Sequence, residues 1–180
     1  MKTTPEIKIL LVLGLFLLGS SARAQNIASV PAAKAACGPE DIKFEVRLDD
    51  SQQPKSGPEN GKAVVYILQD FPRVGRPFEL TTRTGVDGAW VGANLARSFF
   101  SFMIDPGVHH VCVSGQWSVL TSPSSIALHS VVAKAGESYY FRVRLLDRGN
   151  GGINLGLEPV DEDEATFLQQ TSPRSTSHPK

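Results

Sequence analysis

Short segments of alternating apolar and polar residues recur along most of this 180-residue chain, and Gly or Pro residues separate them. Residues 41–48 (DIKFEVRL) are the clearest case, because every second residue is apolar and the residues between are charged. A period of two with one apolar face is typical of a half-buried strand in an antiparallel sheet. The pattern therefore predicts strands over most of the chain.

Nine segments fit a strand in this way. They cover residues 41–48, 63–68, 78–84, 89–93, 98–104, 108–113, 125–133, 138–146 and 153–160. The dipeptide Asp87-Gly88 favours a tight hairpin turn, and Asp105-Pro106-Gly107 is a further turn signal. Short strands at this spacing predict an all-β fold, an antiparallel β-sandwich of eight or nine strands.

Residues 161–170 (DEDEATFLQQ) are the segment that predicts a helix. Asp161 is placed to cap it, with Glu164 three residues later, and acidic residues suit the positive end of the helix dipole. We expect Phe167 and Leu168 to dock this short C-terminal helix onto the sandwich.

Residues 1–24 have the composition of a secretory signal peptide. A weakly basic start precedes an unbroken apolar run, and Ala22-Arg23-Ala24 supplies the small residues that signal peptidase reads, so cleavage is expected before Gln25. The apolar run is shorter than the about 20 residues of a membrane-spanning helix. We therefore expect an exported protein, periplasmic or secreted, with no transmembrane anchor after cleavage.

The rest of the chain divides into three parts. Residues 25–40 are Ala-rich and are expected to form a flexible leader, residues 41–170 a single β-sandwich domain, and the polar residues 171–180 a disordered tail. Three of the 18 basic and one of the 18 acidic residues lie within residues 1–24, which leaves a formal net charge of −2. Near-neutral charge without a basic block disfavours nucleic-acid binding.

Two cysteines, Cys37 and Cys112, remain after cleavage. An even pair in an oxidising compartment favours a disulfide. It would close a loop of about 75 residues, for which chain entropy predicts about 4 kcal/mol of stabilisation. Reduced thiols leave an alternative open, a metal-binding or redox site formed by Cys37, His110 and Cys112, with His129 as a further candidate ligand.

Signatures of catalysis are absent from the sequence. It has no Gly-x-Ser-x-Gly elbow and no His-Glu-x-x-His motif. His109 and His110 fall in a predicted strand, so we expect their side chains on opposite faces, where they cannot bind one ion together. A triad of Ser114, His110 and Asp105 can be drawn, but no motif supports it. We expect no enzymatic activity and no cofactor.

Trp90 and Trp117 lie near predicted strand ends or loops, where ligand-contacting residues often occur. They are the candidates for a binding surface, and partial burial under a loop is the alternative for both. The partner that we expect is an envelope protein or a glycan.

Four motifs follow one another between residues 61 and 165. They are Gly61-Lys62-Ala63-Val64-Val65-Tyr66, Val86-Asp87-Gly88, Asp105-Pro106-Gly107-Val108-His109-His110 and Ala135-Gly136-Glu137-Ser138-Tyr139-Tyr140-Phe141-Arg142-Val143. Their order resembles the bacterial family called domain of unknown function number 2846. The resemblance implies a small exported β-sandwich, similar to surface-associated modules with a D-G…PG-x-H rhythm, and it supplies no established catalytic residues. Many members are lipoproteins, whereas this chain lacks the Cys that would carry the lipid.

These observations lead to one expectation and two alternatives. We expect an exported, non-enzymatic β-sandwich of the bacterial envelope or periplasm that acts as a binding or structural module. The first alternative is a periplasmic metal-binding or redox protein that uses Cys37, His110 and Cys112. The second is an unrecognised hydrolase of envelope glycan or peptide.

Overall fold

The computed structural model describes residues 36–49, 57–72, 80–116, 125–147 and 153–180. The signal peptide expected at residues 1–24 and the candidate residue Trp117 lie outside these ranges. None of the helices within these ranges has the length and apolar character needed to cross a membrane.

Ten strands and a C-terminal helix, α1, make up most of the described residues. In chain order they are β1 Phe44–Asp49, β2 Ala63–Gln69, β3 Thr81–Val86, β4 Ala89–Leu95, β5 Ser98–Ile104, β6 Gly107–Gly115, β7 Ile126–Ala133, β8 Ser138–Asp147, β9 Ile153–Pro159, α1 Glu162–Gln170 and β10 Arg174–Pro179. Each of the nine segments with an alternating or apolar pattern overlaps a strand, so the all-β prediction is confirmed.

The strands form two sheets that pack as a sandwich. One sheet has six strands in the order β1-β10-β5-β2-β8-β9, and the other has four in the order β4-β3-β6-β7. Most neighbours are antiparallel, but β2 pairs in parallel with β8, and β10 in parallel with β5. The chain leaves the six-stranded sheet after β5 and returns to it at β8, which allows β2 and β8 to run in the same direction.

Strand β2 is buried along its whole length because both faces of the six-stranded sheet are covered. Val65 and Ile67 point into the core between the sheets. Val64, Tyr66 and Leu68 point the other way, into a second apolar cluster. This second layer explains why residues 63–68 are apolar at every position instead of alternating.

Helix α1 covers the outer face of the six-stranded sheet. Asp161 caps it as predicted, since its carboxylate accepts a hydrogen bond from the Glu164 backbone N–H at 2.8 Å. Ala165 and Leu168 are buried against the sheet. The expected docking of Phe167 is wrong: this side chain is 63% exposed, because it lies about 100° around the helix from Leu168.

The expectation of a disordered tail at residues 171–180 is also wrong. Strand β10 lies between β1 and β5, and its register with β1 extends from Arg174 opposite Asp49 to Pro179 opposite Phe44. The domain therefore extends beyond residue 170. A polar segment can form this strand because backbone and hydroxyl hydrogen bonds hold it in place, with Ser175 buried.

The turn between β3 and β4 is the predicted hairpin. Asp87 and Gly88 have φ angles of 51° and 91°, the left-handed region that a tight two-residue turn requires. A bulge between Thr84 and Gly85 shifts the register of the pair just before the turn.

Candidate functional site

Four turns meet at one end of the sandwich, which we call the turn end. It comprises residues 61–62 before β2, 87–88 between β3 and β4, 105–106 between β5 and β6, and 134–137 between β7 and β8. The strand registers bring them together, because the start of β2 lies beside both the end of β5 and the start of β8. Each of the four sequence motifs contributes one of these turns.

Direct hydrogen bonds join three of the four turns. The Lys62 ammonium lies 3.0 Å from a carboxylate oxygen of Asp105. The Lys62 carbonyl oxygen accepts a hydrogen bond from the Gly136 N–H at 2.8 Å, and the Glu137 carbonyl oxygen accepts one from the Val64 N–H at 3.1 Å. The turns before β2, after β5 and before β8 are thus fixed relative to one another.

Asp87 attaches the fourth turn through strand β6. One carboxylate oxygen lies 2.6 Å from Nδ1 of His109, and the other accepts the backbone N–H of His110 at 2.8 Å. That N–H bond is the largest cause of a lowered pKa for Asp87. The hydrogen bond to Asp87 in turn raises the pKa of His109. His109 also faces the β5–β6 turn, because its Nε2 lies 2.8 Å from the Asp105 carbonyl oxygen.

An exposed apolar pair lies beside this polar network. Val108 on β6 and Val132 on β7 are direct cross-strand partners and are 65% and 64% exposed. His110 lies two residues along β6 on the same face, with 60% of its side chain exposed. The neighbouring Tyr139 hydroxyl accepts the Lys134 N–H at 3.0 Å and lies 2.9 Å from the Val132 carbonyl oxygen. The valine pair is therefore part of a surface whose backbone is held in place.

The predicted disulfide between Cys37 and Cys112 is confirmed, with a Cα–Cα distance of 5.3 Å. It attaches residues 36–42, which we call the strap, to the outer face of the four-stranded sheet. Residues 36–40 of the expected flexible leader are thus bound to the domain. Neither cysteine has a free thiol in this structure.

His129, the further candidate metal ligand, does not lie on the same face of the sheet as Cys112. His129 lies opposite Val111 and packs on Phe141 at a ring-centroid distance of 4.9 Å, inside the sandwich. Cys112 and His110 are on the other face of the same sheet. Within the described ranges no group of three or more His, Cys, Asp or Glu residues is arranged to hold a metal ion.

Trp90 contacts the strap. Its indole Nε1 donates a hydrogen bond to the Pro39 carbonyl oxygen at 2.6 Å. The Arg83 guanidinium carbon lies 4.3 Å from the centre of the Trp90 ring, and Arg83 donates to the Glu40 carbonyl oxygen at 3.1 Å. These contacts give Trp90 a structural role, and ligand binding by it stays a prediction.

The triad drawn from the sequence is not assembled. Ser114 and His110 are four residues apart on one strand, a separation of about 13 Å. The Asp105 carboxylate contacts Lys62, and its carbonyl oxygen contacts His109 and not His110. The pair that does form, Asp87 with His109, is not predicted by the sequence, because the turn signal accounts for Asp87 without any further contact. The available signals are the position of Asp87 in a hairpin turn and the His109-His110 dipeptide, 22 residues later, at the start of a predicted strand.

The fold and these contacts define a disulfide-linked β-sandwich whose turns are fixed together at one end. Comparisons with protein-family models, with curated proteins and with solved structures found no match to this chain. The resemblance to family number 2846 therefore stays a prediction from the four motifs.

Proposed function

We propose that this protein is exported and acts as a non-enzymatic binding module of the bacterial envelope, with a protein partner that contacts the turn end. The observation that carries the proposal is the exposed Val108–Val132 pair beside turns that hydrogen bonds fix in place. Binding residues in β-sandwiches commonly lie on loops at one end of a rigid scaffold.

Aliphatic side chains at the centre of a polar rim are typical of protein–protein contacts. Here the rim is supplied by the His110 side chain and the charged residues Lys134 and Glu137, whose side chains are exposed. An envelope protein therefore suits this surface better than a glycan.

The disulfide between Cys37 and Cys112 supports export. Disulfides persist in oxidising compartments and are rare in the cytosol. The intact mass of the chain from the exported fraction tests this step. We expect the mass of a chain that begins at Gln25, two hydrogen atoms lighter than the mass of the reduced chain. This mass should not change on treatment with a thiol-alkylating reagent. Alkylation of both cysteines would contradict the proposal and favour the metal-binding or redox alternative.

Site-specific photocrosslinking in intact cells tests the binding surface. A photoreactive residue at position 132 is expected to give discrete protein adducts. The matched control carries the same group at Phe167, which is equally exposed but lies on α1, across the six-stranded sheet. Equal adducts at the two positions, or none at position 132, would contradict the proposal, and adducts with glycan alone would change the partner class.

A further inference from the structure

His109 contacts two of the turns at the turn end, and what we infer from these contacts does not depend on the proposed function. We propose that His109 is a protonation-dependent clasp, whose charged ring joins the β3–β4 hairpin to the β5–β6 turn and whose deprotonation releases that turn.

The geometry of the two ring nitrogens carries the proposal. Nδ1 faces the Asp87 carboxylate at 2.6 Å, and Nε2 faces the Asp105 carbonyl oxygen at 2.8 Å. A carboxylate and a carbonyl oxygen can only accept hydrogen bonds, and a neutral imidazole has one N–H. Both contacts are therefore hydrogen bonds only when the ring is the doubly protonated imidazolium.

The surroundings of the ring favour that charge. The His109 ring contacts the Asp87 carboxylate of the β3–β4 hairpin. It also contacts the backbone of Asp105 in the β5–β6 turn, whose carboxylate is paired with Lys62. His110 adds its backbone N–H to Asp87 and has Nδ1 3.8 Å from the same carboxylate. The cross-strand neighbour on β7 is Val131, which brings no charge. Only 18% of the His109 side chain is exposed, so water competes weakly for its N–H groups.

The strengths of the two acceptors decide which contact of His109 is lost when the ring loses a proton. A carboxylate is a stronger acceptor than a peptide carbonyl, so the last proton stays on Nδ1 and the contact to Asp105 is lost. Among the described residues, the β5–β6 turn then keeps the solvent-exposed bridge between Lys62 and Asp105 as its side-chain contact with a neighbouring turn. The hairpin stays attached through Asp87 and the His110 N–H.

The sign of the effect follows from the raised pKa of His109. The contribution of protonated His109 to stability is complete below the unfolded-state pKa of about 6.5. It is lost as the pH rises through the folded-state pKa of His109. The lowered pKa of Asp87 keeps its carboxylate charged well into acid. The clasp is thus closed in mild acid and opens on the alkaline side.

Nitrogen-15 NMR of the disulfide-bonded mature chain, titrated from about pH 5 to about pH 9, tests the clasp. We expect His109 to show two protonated ring nitrogens in mild acid and a midpoint above that of free imidazole, about 6.5. Exchange of the Asp105, Gly107 and Val108 amides, corrected for the intrinsic effect of pH, should accelerate at least about tenfold across that midpoint, equivalent to about 1.4 kcal/mol. The amides of β2 should not change in step with it.

Two variants separate the clasp from a structural effect. Asp87→Asn keeps a residue that tolerates the left-handed turn but removes the charge, so the midpoint of His109 should fall. His110→Gln keeps the backbone N–H that binds Asp87, so the clasp should still open above the midpoint. A single neutral tautomer of His109 throughout the titration, a midpoint that Asp87→Asn leaves unchanged, or turn exchange that does not follow the midpoint would overturn the proposal.

Discussion

The hydroxyl of Ser177 on β10 accepts a hydrogen bond from the backbone N–H of Ala93 on β4, at 2.9 Å. Two residues earlier, Ser175 accepts the N–H of Leu95 in the same way, at 3.3 Å. Strand β4 is an edge of the four-stranded sheet, and β10 belongs to the other sheet. Serine side chains thus satisfy backbone groups that an edge strand would otherwise leave without a partner, and they close the sandwich along this seam.

Replacing Ser175 with Ala tests this seam. The substitution leaves the buried Leu95 N–H without an acceptor and removes the contact to Ser98, so we expect the free energy of unfolding to fall by about 1–3 kcal/mol. Thr176→Ala, at the exposed neighbouring position, is the control and should change it by less than about 0.5 kcal/mol. Urea unfolding of the oxidised chain measures both, and equal losses would refute a specific role for Ser175.

The disulfide is expected to be a large single contribution to stability. Cys37 and Cys112 are separated by 75 residues, and closing a loop of that size contributes about 4 kcal/mol in the chain-entropy model. The double variant Cys37→Ala/Cys112→Ala should lose about that amount relative to the oxidised chain. The reduced wild-type chain is the control, because it lacks the disulfide bond but retains both cysteine side chains. A loss below about 1 kcal/mol would show that the strap contacts alone hold this region.

Trp90→Phe tests whether the indole holds the strap. Phenylalanine keeps an aromatic ring over Arg83 but cannot donate to the Pro39 carbonyl oxygen, so a loss of about 1 kcal/mol in unfolding free energy is expected. Val91→Ala, on the adjacent exposed position, should have a smaller effect. If Trp90→Phe leaves the free energy of unfolding unchanged and lowers the yield of partner crosslinking instead, Trp90 contacts a ligand, as the sequence predicts.

His129 should oppose His109 in the pH dependence of stability. Burial lowers the pKa of His129, so the unfolded chain binds a proton more readily, and stability is lost as the pH falls below about 6.5. His129→Leu should therefore lose less unfolding free energy than wild type between about pH 7 and about pH 5. His110→Gln, with an exposed side chain, is the control. A steeper acid loss in His129→Leu would contradict the assignment.

Local features of the sequence predicted much of the fold. Alternation marked β1, and turn chemistry marked the Asp87–Gly88 hairpin, because left-handed backbone angles restrict which residues can occupy it. The helix cap at Asp161 depends on a contact only three residues away. Each of these features is decided within a few residues, which is the range over which residue type acts directly on backbone conformation.

The features that were missed depend on contacts between distant segments. Strand β10 has no apolar pattern, and its serines become informative only once the unpaired edge of β4 lies beside them. Phe167 and Leu168 are adjacent in the chain, and only the packing direction of α1 decides which one is buried. The contact of His109 with Asp87 spans 22 residues and requires the turn end to assemble.

By itself, the sequence determined the all-β class, the positions of nine strands and the helix, and the identity of the cysteine pair, because periodicity, turn residues and the presence of only two cysteines leave few alternatives. The tertiary structure alone decided the order of strands in the two sheets, the recruitment of the C-terminal segment and the pairing of His109 with Asp87. These depend on which distant segments share a surface, since the hydrogen-bonding groups of an edge strand, or of the half-buried His109 ring, find their partners far away in the chain.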